Sequence, residues 1–262
     1  MDLKNKVAII TGAGSGIGEE TALELAKHGC ICVLVGRTES KLKRVLEEVQ
    51  KFTPSSTIEL CDVSQPAQVK QMIQAVHERH KNIDILVNNA GIMIVKFFDE
   101  LSEEEFNSQM DTNFYGGVNL IRAVVPIMQK KGKGVIINVT SVGGKLIVPG
   151  TTAYSASKAA LLGFSESLHY ELKDKGIHVG IVLPASIRTD ILDASVNKLG
   201  VYYRDQCKTP PIKAAKKIRE AIEKENFQTI VPFSYKLLIE FHDFFPGLFS
   251  RQLLGRMRPY FK

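Results

Sequence analysis

Three residues stand at spacings that could move a proton: Ser141, Tyr154 and Lys158. Tyr154 and Lys158 lie four apart in Tyr-Ser-Ala-Ser-Lys. Four residues of α-helix turn ~400°, so the two side chains share a face one turn apart. An ammonium beside a phenol favours the phenolate, so Lys158 is expected to lower the pKa of Tyr154. Tyr154 would then act as a general acid/base near neutral pH. Ser141 follows the run GVIINVT and could polarise a carbonyl from the other side. Alone, Tyr-x-x-x-Lys says little, because the spacing recurs by chance on many helices. Its weight comes from what accompanies it.

The first companion is TGAGSGIG, Thr11 to Gly18, which follows the apolar run VAII. Ile17 stands where G-x-G-x-x-G would place its last glycine, so the match is G-x-x-x-G-x-G through Gly12, Gly16 and Gly18. Glycine permits a tight turn and close backbone approach to a ligand. The helix that follows directs its free N–H groups at that ligand, an arrangement that attracts phosphate. Strand, glycine loop and helix in this order point to a dinucleotide. About 20 residues further on, an NAD site would place Asp or Glu against the ribose 2′-hydroxyl. Gly36 and Arg37 occupy that stretch. Arginine pairs with a 2′-phosphate, so NADP(H) is the expected cofactor, with NAD(H) the alternative. Asp62-Val63 and Asn88-Asn89-Ala90-Gly91 end two more strands. They would line the same edge, where open α/β sheets bind ligands.

The elements that position these residues are legible as an alternation. VAII at 7–10, ICVLV at 31–35, TIEL at 57–60, DILV at 84–87, GVIINV at 134–139 and VGIVL at 179–183 are short apolar runs. They suit parallel strands buried on both faces. Between them, Leu42, Val45, Leu46 and Val49 recur at helical spacing, as do Val69, Met72, Ile73 and Val76. Length allows one large domain or two small ones, and repeated βαβ order predicts a doubly wound α/β sheet. No linker, internal repeat or composition shift interrupts the alternation before about residue 185.

Together these motifs resemble the short-chain dehydrogenase/reductase family over about residues 5–190. The resemblance rests on TGAGSGIG, NNAG, Asn113 in DTNFYG, Ser141 thirteen residues before Tyr154, YSASK, and the segment Pro184 to Thr189. It implies a single domain over 1–262 built on a Rossmann-type sheet of seven parallel strands, and a homotetramer or homodimer. It implies that Tyr154 exchanges the hydroxyl proton and that Lys158 holds the nicotinamide ribose and lowers the Tyr154 pKa. Ser141 would bind the substrate oxygen, and Asn113 would order a relay water near Lys158. Gly12, Ser15, Gly16, Ile17 and Gly18 would cradle the pyrophosphate, and Arg37 would meet the 2′-phosphate. Asp62 and Val63 would meet the adenine, and Asn89, Ala90 and Gly91 the adenosine ribose. Pro184, Ile187 and Thr189 would border the nicotinamide, with Thr189 on its carboxamide. Two departures stand out: Ala185 follows Pro184 where the family often has glycine, and Ser15 stands where NADP-preferring members often have a basic residue.

The implied reaction is hydride transfer between a carbonyl and an alcohol. A loop over 186–213, with Ile191, Leu192, Val196, Leu199, Val201, Tyr202 and Tyr203, would cover the pocket. An arm over 227–262 holds nine of the chain's twenty aromatic residues. Both favour a hydrophobic substrate: a steroid, retinoid, lipid or xenobiotic carbonyl. The arm reads as a packed element, a subunit interface or a lid in preference to a membrane-surface contact. The rival reading is a dinucleotide-binding sensor or interaction subunit without chemistry.

Composition narrows the rest. The net charge of +6 and pI of about 9.0 arise from charges of mixed sign, as in KLKRVLEEVQK at 41–51, which excludes a nucleic-acid stripe. Four cysteines at spacings of two and roughly thirty fit neither a disulfide framework nor a zinc site, and point to reduced thiols in the cytoplasm. The six histidines have no metal-ligand spacing and read as surface or helix-end residues. No apolar run approaches the ~20 residues of a membrane span, and the charged N-terminus does not read as a signal peptide.

Overall fold

Seven short runs rich in Val and Ile form the strands β1 (Val7–Thr11), β2 (Ile31–Gly36), β3 (Thr57–Leu60), β4 (Ile85–Asn88), β5 (Gly134–Val139), β6 (Ile177–Pro184) and β7 (Gln228–Val231). The helices are α1 (Gly16–Lys27), α2 (Glu39–Gln50), α3 (Pro66–His80), α4 (Glu103–Met110), α5 (Gly116–Lys131), α6 (Thr152–Lys173), α7 (Lys198–Gln206), α8 (Pro211–Lys224), α9 (Ser234–Phe244) and α10 (Pro246–Met257). The computed structural model describes residues 1–191 and 197–260. The strands pair in parallel in the order β3-β2-β1-β4-β5-β6-β7. The order reverses at β1, which lies between β2 and β4. A crevice for ligand opens there, beyond the strand carboxyl ends.

Neighbouring residues of β1 feed opposite faces, as the strand period of two requires. Ile10 joins Leu25, Leu42 and Ile218 on the face covered by α1, α2 and α8. Ile9 joins Val69, Ile73, Leu120 and Val124 on the face covered by α3 and α5. Each fully buried isoleucine is worth ~1.5–3 kcal/mol relative to exposure. Burial on both faces is why these strands read as continuous apolar runs rather than alternations.

Several sequence expectations shift. The fourth strand begins at Ile85 rather than Asp84 and runs to Asn88. Asp84 is instead a buried carboxylate that accepts from Val7 N at 2.9 Å and pairs with Lys131. The sixth strand extends to Ile177 and Pro184. The aromatic arm is not one unit: it starts in the sheet as β7, and Phe227 stacks on His169 with centroids 4.4 Å apart. His169 in turn meets His178 on β6, so these two histidines are packed rather than superficial. The covering loop contains α7, capped by Asn197, whose Oδ1 accepts from Gly200 N at 2.7 Å. Leu199 faces Val95 and Met257 in a satellite core instead of covering the pocket. Leu192, Val196 and Phe261 lie outside the described residues. Among the described residues no helix is long and apolar enough to cross a membrane.

Candidate active site

The loop after β1 is shaped by sterics. Gly12 and Gly16 have φ of +64° and +59°, where a side chain is strained. A Cβ at Gly18 would lie 2.2 Å from the Gly12 carbonyl oxygen, so the first turn of α1 packs onto the loop only as glycine. Ser15, extended at the N-cap of α1, makes no side-chain cap bond and leaves the first-turn N–H groups facing out. The loop is stapled to the end of β4: Thr11 Oγ1 accepts from Asn89 N and Ala90 N, each at 3.0 Å, and Asn89 Nδ2 donates to the Thr11 carbonyl at 2.9 Å. A groove of about 290 Å3 results, bordered by Gly12, Ser15, Gly16, Ile17, Asn89, Gly91 and Thr189. Helix N–H groups without a side-chain cap, beside a glycine-rich loop, are the donor set that a diphosphate requires, so these residues fit a dinucleotide.

Arg37 follows β2 and Asp62 follows β3, at the strand ends expected to meet the adenosine, and neither lines the groove itself. Their charges are 3.9 Å apart, and the arginine side chain is 61% exposed. An exposed pair at that distance is weak, which leaves the guanidinium available to an anion. The Asp62 carboxylate is held by Ser64 N and Oγ at 3.0 and 2.7 Å. Val63 is buried and packs so closely on Gly116 that a Cβ there would come within 2.6 Å. The sequence reading missed Lys41, which borders the groove from the first turn of α2. Its spacing of four from Arg37, across the helix start, was the available signal.

The catalytic candidates converge at the ends of β5 and β6. Ser141 leaves β5 and its Oγ accepts from Gly143 N at 2.9 Å, which turns its hydroxyl towards Tyr154. Tyr154 and Lys158 lie in the first turns of α6, both buried. Lys158 Nζ donates to the Val139 carbonyl at 3.1 Å and sits 5.9 Å from the Tyr154 ring centroid. Asn113 lies in a π-helical turn, Asp111–Tyr115, between α4 and α5. Its amide is committed: Oδ1 accepts from Ile92 N at 2.8 Å, while Nδ2 donates to Ile92 O at 2.9 Å and Ser157 Oγ at 3.0 Å. Gly91 threads between Asn113 and Lys158; a Cβ there would come within 3.1 Å of Asn113 Oδ1 and 3.5 Å of Lys158 Nζ. Ser157, the partner of Asn113, was not singled out, though it lies within YSASK. Asn88, first of the NNAG run, points away from the groove: Nδ2 donates to Asn138 Oδ1 at 2.8 Å, and Asn138 Nδ2 donates to Ser165 Oγ at 2.8 Å.

Electrostatically the pair departs from expectation. Burial pushes the Tyr154 phenol above its usual range, and the hydrogen bond from Ser141 only partly opposes it. Burial also pulls Lys158 down to about 8. Desolvation, which disfavours both charged forms, sets both directions, and the opposing pull on Tyr154 comes from Ser141 rather than from Lys158 as expected.

Ser141, Tyr154 and Lys158 line a cavity of about 220 Å3 together with Pro184, Ile187 and Thr189. Ile17, Asn89 and Thr189 border both this cavity and the dinucleotide groove, so one opens into the other. Of the apolar covering residues, Ile191 and Tyr203 reach the cavity. Ala185 donates its N–H to Val231 O at 2.7 Å and extends the β6–β7 ladder, so glycine is not needed there. A larger cavity, about 740 Å3 between α8, β7 and α9, contains none of the candidate residues.

Residues 6–199 match the family model described as short chain dehydrogenase. A 3-oxoacyl-[acyl-carrier-protein] reductase of Staphylococcus epidermidis is 36% identical over 191 residues, 72% of this chain and 78% of that protein. The crystal structure of a short-chain dehydrogenase/reductase from Burkholderia phymatum in complex with NAD superposes with a TM-score of 0.88, covering 95% of this chain and 96% of that one at 26% identity. A variant of actinorhodin polyketide ketoreductase with NADPH superposes with a TM-score of 0.79 at 30% identity, covering 87% and 95%.

Proposed function

Because the chain belongs to the short-chain dehydrogenase family and is thus an NAD(P)-dependent oxidoreductase, we propose that it interconverts a ketone or aldehyde with an alcohol, using NADP(H), on a hydrophobic substrate. The observation that carries this reading is the convergence of Ser141, Tyr154 and Lys158 on one small cavity continuous with the dinucleotide groove. The bound nicotinamide supplies or accepts the hydride at the carbonyl carbon. In reduction, Ser141 donates a hydrogen bond to the substrate oxygen and Tyr154 delivers the proton to it. Lys158 places positive charge beside the phenol, and Asn113 holds the loop after β4 against α6 through Ile92 and Ser157.

NADP(H) is favoured over NAD(H) by two cations at the adenosine end, Arg37 and Lys41, and by the lack of a carboxylate at the end of β2. A hydrophobic substrate is favoured by Met93, Val148, Ile191 and Tyr203 on the cavity wall. The sequence further suggests a homodimer or homotetramer in the cytoplasm, which light scattering and fractionation would check. The central test is Tyr154→Phe with NADPH and a panel of ketones, followed at 340 nm. Turnover should fall at least ~10²–10⁴-fold, the worth of a positioned proton donor, while NADPH binding by fluorescence is retained. Turnover at the wild-type rate refutes the assignment.

A further inference from the structure

The catalytic cavity, at about 220 Å3, is smaller than the ~300–1,000 Å3 of ordinary ligand sites and must also admit the nicotinamide ring. A hydrophobic substrate of any bulk therefore extends beyond it. A neighbouring cavity offers room for apolar groups. A second cavity of about 390 Å3 shares Ser141, Gly143, Val148, Ser186, Tyr203 and Gln206 with the first. Its far wall is the C-terminal helix pair: Tyr235 and Leu238 from α9, and Phe249, Leu253 and Met257 from α10. The wall is fixed in place, since Tyr235 Oη and Ser186 Oγ are hydrogen-bonded at 2.6 Å and Tyr203 Oη donates to Pro149 O at 2.8 Å. Among the described residues, Arg256 is the one charged residue lining it, one turn from Gln252 on α10. Arg256 is exposed and forms no ion pair with any described residue.

We propose that this second cavity is a substrate subsite, and that the substrate is a carbonyl compound whose apolar chain runs between Tyr203 and the α9–α10 pair to end in a carboxylate at Arg256. The proposal rests on the oxidoreductase reading of the first cavity. The carbonyl lies at Ser141 and Tyr154, the chain displaces water from Leu238, Phe249 and Leu253, and the guanidinium meets the carboxylate at the solvent mouth. A planar fork suits that pairing.

The test uses straight-chain methyl ketones of equal length ending in a carboxylate or a methyl group, with a short methyl ketone as control. Arg256→Ala should lower kcat/KM for the carboxylate-ended ketone about 5–10-fold, through KM, as expected for an exposed charge-assisted contact. The methyl-ended ketone should be unaffected, and Arg256→Lys should restore much of the loss. Leu253→Trp, which fills the second cavity, should depress both long ketones while sparing the short one. An equal effect of Arg256→Ala on both long ketones, or none on either, overturns the proposal. Turnover of the short ketone by wild type reports on the underlying reaction separately. If it fails with every ketone, the oxidoreductase reading falls and the subsite with it.

Discussion

Lys158→Met should make the protein more stable while destroying its activity. The ammonium is buried, and its pKa is pulled from 10.5 to about 8. Between these values the unfolded chain binds more protons than the folded one, so wild-type stability rises with pH across that window. Below about pH 8 the full cost of burying the cation is present. At about 1.4 kcal/mol per tenfold, that cost is about 3 kcal/mol. Methionine fills similar space without charge but forfeits the hydrogen bond to the Val139 carbonyl, worth about 1 kcal/mol. The variant should therefore gain about 2 kcal/mol at pH 7, and the gain should shrink steadily towards pH 10. Urea unfolding of both proteins without cofactor, at intervals from pH 6.5 to 9.5, measures this directly. A variant less stable than wild type at pH 7, or a difference that does not change with pH, refutes the reasoning that desolvation dominates at Lys158.

Two further outcomes follow from the same geometry. Arg37→Glu should reverse cofactor preference: kcat/KM with NADPH should fall ~10–100-fold, the scale of one lost charge-assisted pair plus repulsion, while kcat/KM with NADH is kept or improved. Steady-state kinetics with both cofactors checks it, and an unchanged ratio would mean that Arg37 does not meet the 2′ position. Asn138→Ala should destabilise the fold by about 2–4 kcal/mol, because Asn88 Nδ2 and Ser165 Oγ both lose a buried partner. Denaturant unfolding reads the effect, which should appear as a lower midpoint at the same slope.

How much the sequence disclosed depended on whether a feature is dictated locally. The glycine loop was legible because Gly12, Gly16 and Gly18 answer to backbone sterics that one short stretch determines. The central strands were legible because both their faces are buried. β7 was not, since QTIV is a four-residue edge strand whose residues are mostly half-buried and carry little pattern. α7 was hidden because Gly200 and the polar residues around it break helical periodicity, and the element depends on the Asn197 cap and on packing against Val95. The π-helical turn at Asn113 is set by hydrogen-bond register, which residue types do not encode. Asn138 was readable in principle: a lone amide within GVIINV, a fully buried strand, demands polar partners. Ser157 meets Asn113, 44 residues away in the chain, so that role emerged with the tertiary structure, whereas Lys41 was signalled locally by its spacing from Arg37.

The direction of the Tyr154 shift bears on pH dependence. Desolvation keeps the phenol protonated and weakens the hold of Lys158 on its proton. Near pH 7 the site thus holds a neutral phenol beside an ammonium that is still mostly charged. That is the state needed to give a proton to a carbonyl oxygen, whereas oxidation of an alcohol needs the phenolate. Reduction should therefore proceed at a constant kcat/KM up to about pH 8 and decline above it as Lys158 loses its charge. Oxidation should climb with pH over the same range, as the phenol ionises. Because kcat/KM for the substrate reports the ionisations of the form that meets it, here the enzyme–dinucleotide complex, the inflection in the reductive direction should track Lys158. Initial rates in both directions, at saturating dinucleotide and low substrate, give the two profiles. A reductive rate that keeps rising through pH 9 would show that Lys158 is not the group whose charge the proton transfer requires.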